Sequence, residues 1–184
     1  MKISLKRTEL FVITLLVITF LSLITVTFAL SNASSSRNDD LQFLQAAANN
    51  CVWKMNLGYL AKKQAASNAV KLYGGIMATD HGQYCQELNR LADRKGMTLA
   101  ADPDQVRKNT FVFLSQEYGA AFDRNYISLM IDDNQRDLTL YRKEAEKGHD
   151  EEIRAFAANI IKKLESYVLA AEKILLDLPK PVLK

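Results

Sequence analysis

The chain has 184 residues, with 24 lysines and arginines against 21 aspartates and glutamates, and only two histidines and two cysteines. Setting aside Lys2, Lys6, Arg7 and Glu9 at the N-terminus leaves 21 basic and 20 acidic residues, a net of +1. That balance provides no basic face of the kind nucleic acid requires, and two histidines leave little from which to assemble a catalytic triad.

Leu10 to Leu30 is a run of 21 residues without a charge, preceded by Lys2, Lys6 and Arg7 and followed by a polar stretch from Ser31 to Ser36. A basic head, an apolar body and a small-residue tail make an export signal, and the basic head stays inside while the remainder crosses. The length suits a bilayer-spanning helix, which needs about 20 residues, whereas a cleaved signal carries an apolar core of roughly 7–15. Ser31-Asn32-Ala33 nevertheless offers a cleavage site. Residues 1–33 are therefore a signal peptide or an N-terminal transmembrane anchor, and residues 34–40 a polar linker. Either way the expected location is the periplasm or cell envelope, with contact to the inner membrane through residues 10–30 if they are retained.

Residues 41–178 show helical periodicity throughout, with no alternating strand pattern. The first helix is expected to start after Asn38 or Asp39 and to turn Leu44, Ala47, Ala48, Cys51, Met55 and Gly58 inward, with Lys62 and Lys63 at its C-terminal end. Ser67 and Asn68 are the expected caps of the second, whose seam runs Val70, Tyr73, Met77, His81, Tyr84, Leu88 and Leu91 at alternating three and four spacing; Gly96 ends it. Gly74, Gly75 and Gly82 weaken this helix unless close packing requires them.

A connection through Met97, Leu99 and Pro103 leads into a short helix ending near Gln116, and Gly119 breaks the chain. A long helix follows from Ala120 to Lys147, with Phe122, Tyr126, Met130, Leu138 and Tyr141 near one side and Gly148 as its stop. Asp150 caps the last helix, whose seam is Ile153, Phe156, Ile160, Leu164, Tyr167, Ala171, Ile174 and Leu178. Pro179 and Pro181 open a tail, 179–184. Two helical pairs with a longer middle connection give an all-α, ferritin-like four-helix bundle with a short extra helix in the crossover.

Cys51 and Cys85 fall on neighbouring helices of an exported chain, which invites a disulfide. With the turn near residue 65, Cys85 lies about 9 Å beyond the level of Cys51 at 1.5 Å per residue, outside the reach of roughly 7 Å. Two free, buried cysteines are the expectation from that register, and a disulfide is the alternative. Trp53 lies off the seam, partly exposed or packed under the middle connection.

Phe43 with Ala47-Ala48, Leu57-Gly58-x-Leu60-Ala61, Asn68-Ala-Val70-Lys71 and Met77-x-x-Asp80-His81 resemble the opening of an exported bacterial family. Leu88-x-x-Leu91-Ala92, Gly96, Gly119-Ala-Ala-Phe122-Asp123-x-x-Tyr126, Met130 and Phe156-Ala157-Ala158 continue the resemblance in order. The family is the domain of unknown function forty-one forty-two, often labelled an outer-membrane or membrane protein. The resemblance covers about residues 40–175 and implies a ferritin-like bundle in an envelope setting, without an established activity. It also implies an acidic residue where this chain has Lys54, and histidines where it has Asn134 and Tyr167.

A ferritin-like di-metal centre uses inward carboxylates with Glu-x-x-His pairs, and no such pair occurs here. The weak metal candidates are Asp80, His81 and Asp133. Asp80 and His81 are adjacent and point about 100° apart on a helix. His149, beside Asp150 and Glu151, reads as a solvated turn residue. The leading expectation is a non-enzymatic, exported bundle that acts through binding or structure and carries no cofactor. The alternative is a divergent di-metal carboxylate protein or oxidase holding iron, manganese or zinc on Asp80, His81 and Asp133. A third possibility is a bundle that encloses a small apolar ligand. A protein or small apolar ligand is the partner class left open.

Overall fold

The computed structural model describes residues 37–100 and 104–180. The leader, Pro103 and Pro181 lie outside the described residues. The helices are α1 (37–64), α2 (Asn68–Arg94), the short α3 (Gln105–Ser115), α4 (Gly119–Lys147) and α5 (Glu151–Asp177). Among the described residues there is no strand, only an isolated bridge between Ala65 and Gly119, and no helix long and apolar enough to cross a membrane.

The four long helices pair antiparallel as α1 with α2 and α4 with α5. Contacts run along α1 and α4 from Phe43–Tyr141 to Trp53–Asp133, and along α2 and α5 from Arg94–Glu152 to Tyr84–Tyr167. The chain thus goes up, down, down and up, and the crossover from α2 to α4 carries α3. This is the ferritin-like four-helix bundle with one crossover that the seams predict.

Most of the expected seam residues are buried, among them Leu44, Met77, Leu88, Phe122, Met130, Ile153 and Leu164, whereas Met55, Tyr84, Phe156 and Ile174 are partly buried and Leu57, outside the expected α1 face, is fully buried. Asp104 caps α3 by accepting the amide of Arg107 at 2.8 Å. Asp150 caps α5 through the amides of Glu152 and Ile153. Gly119 adopts φ +66°, a left-handed conformation that suits a residue without a side chain.

Three local expectations are corrected. Residues 37–40 are helical, not linker, so α1 includes Asn38 and Asp39 instead of starting after them, and Asp40 turns inward. Its carboxylate accepts the amides of His149 and Asp150 in the α4–α5 turn, at 3.0 and 3.1 Å. Ser67 makes no side-chain cap on α2. Buried Asp123 of α4 serves the α1–α2 turn instead, accepting the amides of Ala66 and Ser67 at 2.9 and 2.7 Å.

The third correction concerns Cys51 and Cys85, which form a disulfide with Cα atoms 5.7 Å apart. A Cβ placed on Gly58 would lie 2.5 Å from the carbonyl oxygen of Gly74 and 2.6 Å from the amide nitrogen of Ala78. That facing sets the mirror point of the α1–α2 pair near residue 67, not 65, and slides Cys85 back toward the level of Cys51. The glycine contact also draws the two backbones together. Gly74 is thus a close-packing glycine, whereas Gly75 has open space around it.

Candidate functional site

The centre of the bundle is polar. Lys54, on the α1 face that carries Cys51 and Gly58, is only 1% exposed. Its ammonium donates to Asp137 Oδ2 at 2.5 Å and to Asn134 Oδ1 at 2.7 Å, both from α4. Asn134 Nδ2 donates to the Tyr73 hydroxyl at 3.1 Å, and that hydroxyl donates to the backbone carbonyl of Tyr167 at 3.2 Å. On the other side, Asn50 Nδ2 donates to Asp137 Oδ1 at 2.5 Å, and Arg107 of α3 donates to Asn50 Oδ1. A single relay therefore runs from α3, through α1 and α4, to α2 and α5. An ion pair removed from water is tolerable only when both members find further hydrogen bonds, and this relay supplies them.

His81 lies deeper along α2. Its Nδ1 is 3.0 Å from the carbonyl of Met77, and its ring packs against Tyr84 and Tyr167. Burial pushes the imidazole down to about 3, and the nearby Lys54 ammonium pushes in the same direction. His81 is thus neutral at physiological pH. The Tyr167 hydroxyl donates to Asp80 and lies 3.2 Å from the Tyr84 hydroxyl. Burial first, and the hydrogen bond to Asp80 second, raise the Tyr167 phenol far above its ordinary value. Lys163 stands 3.6 Å from Asp80.

The metal candidates do not converge. Asp133 accepts the indole N–H of Trp53 at 2.7 Å and pairs with Arg136 on the α1–α4 face. Asp80 is held by Tyr167 and Lys163 on the α2–α5 face, and His81 addresses its own helix. Among the described residues, no three His, Cys, Asp or Glu side chains are grouped so as to hold a metal ion. The donor set of a ferritin-like di-metal centre does not fit these residues: a cationic side chain and an amide stand at its middle.

Trp53 is buried, not partly exposed. It does pack under the middle connection, edge-on to Phe111 of α3 with ring centroids 6.5 Å apart. His149 is half-exposed, 3.6 Å from Asp39. Sequence reasoning missed Asn50, Tyr73 and Asp137 as members of the central network. The signal was present in the spacing: Asn134, Asp137 and Tyr141 continue the Phe122, Tyr126, Met130 stripe at steps of three and four.

Residues 27–174 match the family described as "Domain of unknown function (DUF4142)". The chain belongs to the DUF4142 family. Lys54, Asn134 and Tyr167 are all buried; Lys54 and Asn134 are hydrogen-bonded to each other, and the network reaches Tyr167 through its backbone carbonyl. No curated protein matches the DUF4142 chain.

Two solved structures share the fold. One is a protein from Streptomyces coelicolor, described as "putative secreted protein DUF305". It is 12% identical with a TM-score of 0.67, over 76% of this chain and 91% of that one. The other is a DUF305 fragment from Deinococcus radiodurans, 14% identical with a TM-score of 0.67, over 76% of this chain and 97% of that one. At these identities the likeness concerns the fold of the DUF4142 bundle alone.

Proposed function

We propose that this chain is an exported, non-enzymatic bundle that works by binding or by structural support in the periplasm or cell envelope. In this reading the ammonium of Lys54 takes the place of an interior metal ion. The observation that carries it is the seating of the Lys54 Nζ, 2.5 Å from Asp137 and 2.7 Å from Asn134 with almost no exposure. A cation next to that ammonium would meet a charge repulsion undiluted by water.

Export rests on the apolar run from Leu10 to Leu30 behind Lys2, Lys6 and Arg7, and is supported by a fold shared with a protein described as secreted. Absence of enzymatic activity is inferred from the engagement of the interior polar groups with one another. Each hydrogen-bonding group of the relay faces another side chain or a backbone carbonyl.

The test is purification from the periplasm, dialysis and elemental analysis. The expected result is iron, manganese and zinc far below one ion per chain. Stoichiometric retention of any of them would reject the reading. So would a thermal stabilisation by added metal that His81→Ala abolishes, since binding at saturation raises stability by a few kcal/mol.

A further inference from the structure

Beneath α3 lies a cavity of about 310 Å³ that meets the central network only at Arg107. Trp53 and Val52 of α1 form one wall, and Phe111 and Val112 of α3 form the other. Its polar atoms are few and belong to two kinds of group. Asn49 and Asn56 supply neutral amides, and among the described residues Arg107 and Lys108 supply the charges and no carboxylate lines it. A second, more polar hollow of about 170 Å³ adjoins it and shares Trp53 and Arg107 with it. The guanidinium of Arg107 stands over the Trp53 ring, 6.0 Å from its centroid, at the border of the two.

We propose that this cavity is a binding site for a small aromatic carboxylate. The Trp53 and Phe111 rings, packed at 60° to each other, both line the cavity and supply the aromatic surface that a flat ring packs against. A few hundred cubic ångströms of apolar lining with a small number of placed polar groups is the ordinary build of a ligand site. Arginine's guanidinium is the usual partner of a carboxylate, and Arg107 lines the cavity over the Trp53 indole, with Nη2 donating to Asn50 and Nε 4.0 Å from Asp104. The site lies between α1 and α3, outside the four-helix core. It stands or falls separately from the reading of Lys54 as an internal cation.

Trp53 is the only tryptophan of the chain, so one indole N–H resonance reports on the cavity wall. The experiment is an NMR titration of that resonance in protein purified after export of the full-length chain. The probes are 2-naphthoate and its neutral counterpart 2-naphthalenemethanol. The expected result is a saturable shift with both, and affinity for the acid at least about tenfold higher, the worth of a charge-assisted hydrogen bond. Arg107→Gln, at a part-buried position of the cavity lining, should abolish the preference for the acid over the alcohol while the alcohol still gives a saturable shift. Absence of a saturable shift at roughly millimolar probe, the weakest affinity of interest, would overturn the proposal. Equal binding of acid and alcohol by the unsubstituted protein, or an acid preference that survives Arg107→Gln, would do so as well.

Discussion

The ammonium of Lys54 and the carboxylate of Asp137 lie 2.5 Å apart, with 1% and 6% of their side chains exposed. Such a pair depends on both members. Asp137→Ala leaves a buried ammonium with only Asn134 as partner and should cost about 3–5 kcal/mol in chemical denaturation. Replacing the pair together, by Lys54→Met with Asp137→Leu, removes the stranded charge and should recover most of that loss. A single Asp137→Ala within about 1 kcal/mol of the parent, the range of an exposed ion pair, would show that water reaches Lys54.

The Cys51–Cys85 disulfide closes a loop with a sequence separation of 34. Loop-closure entropy for that length corresponds to about 3–4 kcal/mol. Cys51→Ala with Cys85→Ala should therefore lower the melting temperature by roughly 10 °C for a domain of this size. Differential scanning calorimetry of the parent with and without a strong reductant checks the same number without mutation.

Gly58 and Gly75 should respond oppositely to alanine. At Gly58 the added carbon meets backbone atoms of α2 at 2.5 and 2.6 Å, which forces the helices apart. Overpacking of this kind costs about 1–3 kcal/mol. At Gly75 nothing lies within 4 Å, so the gain in helix propensity, up to about 1 kcal/mol, is kept. Urea midpoints of the two variants should bracket the parent.

Two buried groups give the stability a pH dependence of opposite sign. The His81 imidazole is pushed down from 6.5 to about 3, so the unfolded chain takes up its proton first. Its contribution is complete above about pH 6.5 and is lost toward pH 3, by up to about 1.4 kcal/mol per unit. His81→Phe, which keeps a ring between Tyr84 and Tyr167, should flatten that acid limb.

Glu144 behaves in the other direction. Burial first, and the charge of Asp40 second, raise its carboxyl to about 7, against the opposing influence of His149 and Arg154. Its Oε1 is buried without a hydrogen-bond partner. Stability should fall as the pH rises from about 4.5 to 7, where the folded protein must give up that proton. Glu144→Gln should remove this decline in denaturation curves taken across the window.

The helices were legible because each long one carries its apolar residues at steps of three and four, and because Gly96, Gly119, Gly148 and Asp150 punctuate them. The interior was less so, because a search for apolar stripes passes over polar members of the same stripe. Lys54 is one turn from Cys51 and Gly58 and belongs to that face. The disulfide was obscured by a register error of two residues at the turn. The glycine contact that corrects it is a three-dimensional fact. Asp40 and Asp123 were hidden for another reason: each serves a turn more than fifty residues away, and no local pattern announces such a partner.

Those two carboxylates have a joint consequence. Asp123 of the second hairpin closes the bend of the first, and Asp40 of the first closes the bend of the second. Neither hairpin owns the acceptor that finishes it, so a chain severed in the crossover would yield two halves with bare amides at their tips. Docking and bend closure are reciprocal, and the halves interlock like clasped hands: loosening one grip opens the opposite knuckle.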